Sequence, residues 1–194
     1  HSGIIRCLVV QLGRGSDVLE TLLALRATQQ LYPRMEITLV CRENFAELAR
    51  EADWLREVVA LPLLENSENI KDQNVKEMMG PAARWISPLI QSESWDLIVN
   101  WSYSEASSYL TALLPAKLKL GYTRRKDLDF SSGDAWSQFI HGVVQESLDP
   151  GIHLTDMITT QLLTALQVQF GEPADAGNQS VTGRDFFNRL PISG

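Results

Sequence analysis

The first 32 residues constrain the fold more than any other part of the chain. Ile4 to Gln11 reads Ile-Ile-Arg-Cys-Leu-Val-Val-Gln, a short apolar run rich in branched residues, and it ends at the glycine-bearing stretch Leu12-Gly13-Arg14-Gly15-Ser16. From Asp17 the apolar positions Val18, Leu19, Leu22, Leu23 and Leu25 fall at helical spacing, and the pattern runs to Tyr32 before Pro33 stops it. A run without polar alternation is a strand buried on both faces. Such a strand, leading through a tight turn into a helix, is half of a crossover unit of a parallel sheet.

The alternation continues down the chain. Ile37 to Cys41 reads as a second strand, Asn44 to Ala52 as a short helix, and Val58 to Leu61 as a third strand. Glu65 to Asn74 is polar without an apolar period and reads as a surface loop. Pro81 suits the first turn of a helix with the apolar face Ala82, Trp85, Ile86, Leu89 and Ile90, which Pro88 ends or kinks. Asp96 to Asn100 is a buried strand, Ser104 to Leu114 the helix after it, and Lys117 to Leu120 a further short strand that Gly121-Tyr122 breaks. Thr123 to Asp134 is charged and aperiodic, the best candidate for a long functional loop. Ile152 to Phe170 returns to helical spacing through Leu154, Met157, Ile158, Leu162, Leu163 and Leu166.

Strands alternating with helices predict an α/β fold: a doubly wound, mainly parallel, Rossmann-like sheet over residues 4–170. Residues 171–194 lose the apolar period and read as a linker toward a second domain that this chain does not contain. The opening His1-Ser2-Gly3 reads as a remnant of an expression tag.

Composition narrows the function. The 194 residues are 44% hydrophobic and 21% charged, which excludes disorder and fibrous classes. Seventeen Lys and Arg against twenty-four Asp and Glu leave a formal charge of -7, so nucleic acid is not an expected partner. Cys7 and Cys41 each sit inside an apolar run, as small buried hydrophobes of a reducing compartment. No apolar run approaches the roughly 20 residues of a transmembrane helix.

The turn at Gly13 fails both common phosphate-binding patterns. The third glycine of G-x-G-x-x-G would fall at Val18, and the Gly-Lys-Ser/Thr ending of a P-loop is missing. It does place an acid, Asp17, at a helix start beside the carboxyl end of the first strand, where open α/β sheets bind ligands. Asp17 then has two readings, a helix cap opposing the dipole or a general base for an acceptor hydroxyl. Asn100 and Ser102 sit at another strand end and are candidates for substrate contact, while Trp101, Tyr103 and Tyr109 read as core or cleft wall. Lys117, Lys119, Arg124, Arg125 and Lys126 form the densest basic cluster. They read either as a solvated loop balanced by Asp127 and Asp129 or as a grip on an anionic ligand. His153 and Asp156 could share a helix face, but with no further ligands at metal spacing neither a metal nor a cofactor is expected.

The stretch Leu8-Val9-Val10-Gln11-Leu12-Gly13-Arg14-Gly15-Ser16-Asp17-Val18-Leu19, with Ala24-Leu25-Arg26 and Tyr32-Pro33 behind it, resembles the amino-terminal domain of the heptosyltransferases, the inverting glycosyltransferases of family 9. Later pieces agree in order: Ile37 to Val40 with Phe45, Trp95 to Asn100, Ala116-Lys117 with Leu120-Gly121-Tyr122, and His153 to Asp156. The resemblance implies one half of a GT-B enzyme: the acceptor-binding half, with the nucleotide sugar held by the other. It maps the catalytic base onto Asp17, and beside it Gly13, Arg14, Ser16, Asn100, Ser102, Arg124, Arg125 and Lys126 are the candidate acceptor-binding residues. One position departs: Ser16 stands where the family usually has glycine, and a side chain there is expected to shift the carboxylate or narrow the cleft.

The implied partners are a glycan or glycolipid acceptor, such as bacterial lipopolysaccharide core, and a nucleotide sugar reached only through the second domain. The implied location is cytoplasmic, peripheral to the inner membrane. The alternative is a non-catalytic glycan-binding or assembly domain that kept only the fold.

Overall fold

A computed structural model of the chain describes residues 3–62, 86–90, 94–124, 130–132, 134–145 and 153–171. Strand β1 (Ile5–Gln11) leads into helix α1 (Gly15–Leu31), then β2 (Met35–Arg42), a 3-10 turn at Glu43–Phe45, α2 (Ala46–Arg50) and β3 (Glu57–Leu61). After a helical segment at 86–90 come β4 (Trp95–Asn100), α3 (Glu105–Leu113), β5 (Ala116–Arg124), β6 (Phe130–Ser132), α4 (Ala135–Gln145) and α5 (Leu154–Phe170).

The strands lie in the order β3-β2-β1-β4-β5-β6, with the first five parallel and β6 antiparallel to β5. The chain winds outward from β1 to β3, crosses back to β4, and winds outward on the other side. That order leaves a crevice between the carboxyl ends of β1 and β4, where the connections diverge.

Both faces of the sheet are covered, as the unbroken apolar strands require. Cys7 and Val9 of β1 join Leu25, Ile37, Leu39, Leu97, Val99, Leu162 and Leu166 in one core layer, while Leu8 and Val10 join Val40, Ile98, Leu110 and Leu114 in the other. Each such fully buried aliphatic side chain contributes about 1.5–3 kcal/mol. Both cysteines are buried and free, and burial pushes their thiols up, to about 12 for Cys7 and about 11 for Cys41.

Three expectations change. β5 does not stop at Leu120. It runs through Gly121 to Arg124, because Gly121 pairs with Asn100 at a positive φ of 86°, so close that a Cβ would lie 1.9 Å from the Asn100 carbonyl oxygen. A glycine that reads as a break is what lets the strand continue. Part of the expected loop after Thr123 is therefore sheet, with Thr123 and Arg124 paired to Ser131 and Phe130. Helix α4 was not expected at all, although Ile140 and Val143 bury its inner face. Of the helix expected after Pro81, residues 86–90 are helical with Ile86 and Leu89 buried, whereas Ile90 is exposed and Pro88 lies inside the segment. Pro81, Ala82 and Trp85 lie outside the described residues, as do the loop expected at Glu65 to Asn74 and residues 172–194.

Candidate active site

The crevice between β1 and β4 holds a cleft of about 180 Å³. Gln11 and Gly13 from the end of β1, Asp17, Glu20 and Thr21 from α1, and Trp101, Ser102 and Tyr103 after β4 form its polar part. Ile140 of α4 with Leu154 and Ile158 of α5 close it with apolar surface.

Asp17 caps α1, as one of its two readings expects, but from within the first turn and not from the N-cap position. Arg14 takes that place in extended backbone, and Asp17 is the third helical residue, its Oδ2 accepting the Arg14 N–H at 2.6 Å. The bond satisfies one of the donors left over at a helix start, and the positive end of the dipole favours a carboxylate there. It also pins the carboxylate at the cleft. A Cβ on Gly13 would lie 2.3 Å from Asp17 Oδ2, so this glycine leaves the room that the carboxylate fills. The Gly13 N–H is held by Gln11 Oε1 at 2.9 Å, and Gln11 Nε2 donates to Thr21 Oγ1 at 3.1 Å, which ties the turn to the strand and the helix that flank it. Gln11 is a positioning residue that the sequence reading passed over.

Ser16 is exposed within the first turn of α1, and Tyr103 is the one non-glycine residue with positive φ among the described residues. The backbone at 16 is thus ordinary helix, open to a side chain. Arg14 is exposed at the same turn, and neither Arg14 nor Ser16 lines the cleft.

Ser102 does line it, and joins its two walls: its Oγ accepts the Leu12 N–H at 2.6 Å and donates to the Val10 carbonyl at 3.1 Å. Asn100, expected at a strand end as a substrate contact, has no accessible surface: its Oδ1 accepts the Ser102 N–H and its Nδ2 donates to Ser107 Oγ and the Tyr122 carbonyl, so it holds the loop that carries Ser102.

The described members of the basic cluster do not form one patch. Lys117 pairs with Asp96 at 2.6 Å, Lys119 Nζ donates to the Ala112 carbonyl, and Arg124 lies over the Tyr109 ring at 3.8 Å with its Nε on Ser108 Oγ. Consecutive residues along an extended strand spread over about 20 Å, which disperses a run that looks dense in sequence. Arg125 and Lys126 lie outside the described residues. His153 caps α5, its Nδ1 accepting the Thr155 N–H at 3.2 Å, and among the described residues no group of three side chains is placed to hold a metal ion.

Two further groups were not singled out as chemistry. Glu20, one turn after Asp17, has its carboxyl raised above the usual range, by burial first and by the Asp17 charge, against the pull of His153. Tyr103 sits at φ 49°, a left-handed conformation that costs an aromatic residue about 1–2 kcal/mol, and its ring packs 5.1 Å from His141 and 5.9 Å from Tyr122. Burial, with the charge of Asp134, raises its phenol. Behind it Gln161 joins Trp101 Nε1 to Asp134 and Ser137, fixing α5 and α4 against the end of β4.

No family model and no curated protein matches the chain. Solved structures do. The chain is similar to the E. coli heptosyltransferase WaaC with ADP, at 17% identity and a TM-score of 0.58 over 97% of this chain and 55% of that one. It is also similar to WaaC with ADP-2-deoxy-2-fluoro heptose, at 19% identity and a TM-score of 0.50 over 89% of this chain and 56% of that one. A family 9 glycosyl transferase from Veillonella parvula matches at 17% identity and a TM-score of 0.50 over 63% of this chain and 33% of that one. The chain thus has a heptosyltransferase-like α/β fold, and it spans about half the length of the WaaC chains it matches.

Proposed function

We propose that the chain is the acceptor-binding half of an inverting, heptosyltransferase-like glycosyltransferase, with residues 4–170 as the acceptor domain and 171–194 leading to a domain that holds the nucleotide sugar. The observation that carries this reading is the Asp17 carboxylate, held by the Arg14 N–H at the edge of a cleft between the carboxyl ends of β1 and β4. The similarity to structures of a sugar transferase solved with ADP and with an ADP-sugar analogue supports the reaction class.

In this reading Asp17 takes the proton of an acceptor hydroxyl as its oxygen attacks the anomeric carbon. The new glycosidic C–O bond forms as the bond to the diphosphate breaks, and the nucleoside diphosphate leaves with that electron pair on the donor side. Gly13 leaves the space for the carboxylate, Gln11 and Ser102 keep the two walls in register, and Asn100 braces the loop that carries Ser102. Arg14 and Ser16 flank the cleft. Arg124, Arg125 and Lys126 offer positive charge to an acidic glycan.

Apart from the nucleotide-sugar domain the chain alone performs no transfer and binds nucleotide sugars weakly or not at all, because the turn at Gly13 presents a carboxylate where a phosphate needs bare N–H groups. The acceptor is a glycan or glycolipid of lipopolysaccharide-core type at the cytoplasmic side of a membrane, and no described helix is long and apolar enough to cross one. Calorimetric titration of the chain with a nucleotide-sugar panel and with phosphorylated core oligosaccharide tests the division of labour. Salt-sensitive binding of the oligosaccharide alone is expected, and tight nucleotide-sugar binding overturns it.

A further inference from the structure

Five buried side-chain polar atoms among the described residues have no hydrogen-bond partner, and two of them, Glu20 Oε2 and the Tyr103 hydroxyl, belong to residues that line the cleft beside Asp17. A polar atom stripped of water and left without a partner is destabilising, so it marks a place where something else supplies the bond. We propose that Glu20 and Tyr103 form a hydroxyl-recognising subsite in this cleft, which takes one uncharged, polyhydroxylated sugar ring beside Asp17. The proposal rests on the acceptor-cleft reading and adds which ring the cleft accepts and which residues select it.

The chemistry of the pair fits hydroxyls. A carboxylate oxygen accepts from a sugar O–H, and a phenol donates to a sugar oxygen, so adjacent hydroxyls satisfy both. Tyr103 is held in left-handed backbone, a strain that persists where the surroundings fix it and that clusters at ligand-binding positions. Leu154, with the nearly buried Trp101 and Ile158 beside it, offers apolar surface to the C–H face of a ring. The cleft, about 180 Å³, has room for one sugar ring.

Charge decides what kind of ring. Among the described residues Asp17 and Glu20 line the cleft and no lysine or arginine does, so a sugar acid or sugar phosphate would meet two carboxylates there without a lysine or arginine counter-charge. The groups acting on Glu20 are Asp17 on its own helix and His153 at the start of α5, while Asp134 acts on Tyr103. Burial raises the Glu20 carboxyl, which brings it nearer to donating as well as accepting a hydrogen bond.

The test is a titration of the ¹⁵N-labelled chain with methyl α-mannoside, with the methyl glycoside of glucuronic acid and with mannose 6-phosphate, read from amide shifts at Gly13, Ser102 and Tyr103. The neutral glycoside is expected to shift these amides with weak affinity and the two anions at least tenfold more weakly. Tyr103→Phe and Glu20→Leu are each expected to weaken the neutral glycoside at least fivefold, in spectra that keep the dispersion of the folded chain. If Glu20→Leu does not fold, Tyr103→Phe carries the comparison. Unchanged affinity in the variants, or anions bound as well as the neutral ring, overturns the subsite and leaves the acceptor reading standing. If none of the sugars shifts the cleft amides, the acceptor reading falls together with the subsite.

Discussion

Asp17 and Asp96 lie near opposite ends of the sheet, and their surroundings differ in kind. Asp96, at the amino end of β4, accepts the Arg6 N–H at 2.9 Å and the Lys117 ammonium at 2.6 Å. Burial acts to raise its carboxyl, but the bonds from Lys117 and Arg6, with their charges, hold it below the usual range. At the carboxyl end Asp17 is held by one backbone N–H, and its neighbour Glu20 has a buried oxygen with no partner. The acid at one end is spent on joining strands. Those at the other end are positioned at a cleft, which on the proposed reading is the difference between a structural and a chemical carboxylate.

The largest effect that separates the two ends is on turnover. In a polypeptide that joins this chain to a nucleotide-sugar domain of the proposed kind, Asp17→Asn is expected to lower transfer by about 10²–10⁴-fold, the range for loss of a general base. Its amide oxygen still accepts the Arg14 N–H, so the unfolding midpoint should move by no more than roughly 2–4 °C. Near-parental turnover in a product assay removes Asp17 from the chemistry and makes it a second Asp96.

Gly13→Ala tests the same site through space rather than charge. The new methyl would meet Asp17 Oδ2 and Gln11 Oε1 at 2.3 and 2.8 Å, so the carboxylate must move. A displacement of about 1 Å costs up to roughly 10²-fold in rate, and relief of the crowding costs about 1–3 kcal/mol of stability. Full activity with a normal melting curve would show that the room beside Asp17 is not needed.

The two ends were unequally legible in the sequence. β1, β2 and β4 could be read because strands covered on both faces are unbroken apolar runs, and Asp17 could be read because its turn follows such a run. Ser104 to Leu114 was placed correctly because Ser104 caps α3, its Oγ accepting the Ser107 N–H. What stayed hidden depends on contacts distant in sequence. Gly121 looks like a break until Asn100 is seen beside it, and Lys117 looks like part of a basic cluster until Asp96 is seen opposite. Glu20 looks like one more acid on an amphipathic helix until α5 packs against α1 and covers it. Helix α4 is the exception, since Trp136, Phe139, Ile140 and Val143 follow helical spacing in plain text.

Asp96→Asn should reverse the pattern of Asp17→Asn. It removes a charged partner from Lys117 and the Arg6 N–H, a loss of about 1–3 kcal/mol in urea unfolding at neutral pH, while transfer is unchanged. A carboxyl lowered in the folded state stabilises above its unfolded value of about 3.9, and that contribution is lost as pH falls through the lowered folded value. The parent and variant curves should therefore converge in acid. A stability difference that persists at low pH assigns the loss to packing instead of charge.

The smallest effect is expected at Glu20, and its sign is opposite to that at Asp96. Its carboxyl is raised, by burial first, so the folded chain binds the proton more tightly than the unfolded chain. The associated stability is fully present below the unfolded value of about 4.3 and is lost as pH rises through the raised folded value. Glu20→Gln removes this penalty, so the variant should gain stability relative to the parent on going from pH 4 to pH 7. Part of the side chain meets solvent, which screens the effect, and the gain should stay within about 0.5 kcal/mol. Urea unfolding of both proteins at the two pH values measures it as a difference of differences. If the variant instead loses stability at pH 7 relative to pH 4, the ionised Glu20 is a satisfied charge in the folded chain, and the contrast between the two ends of the sheet disappears.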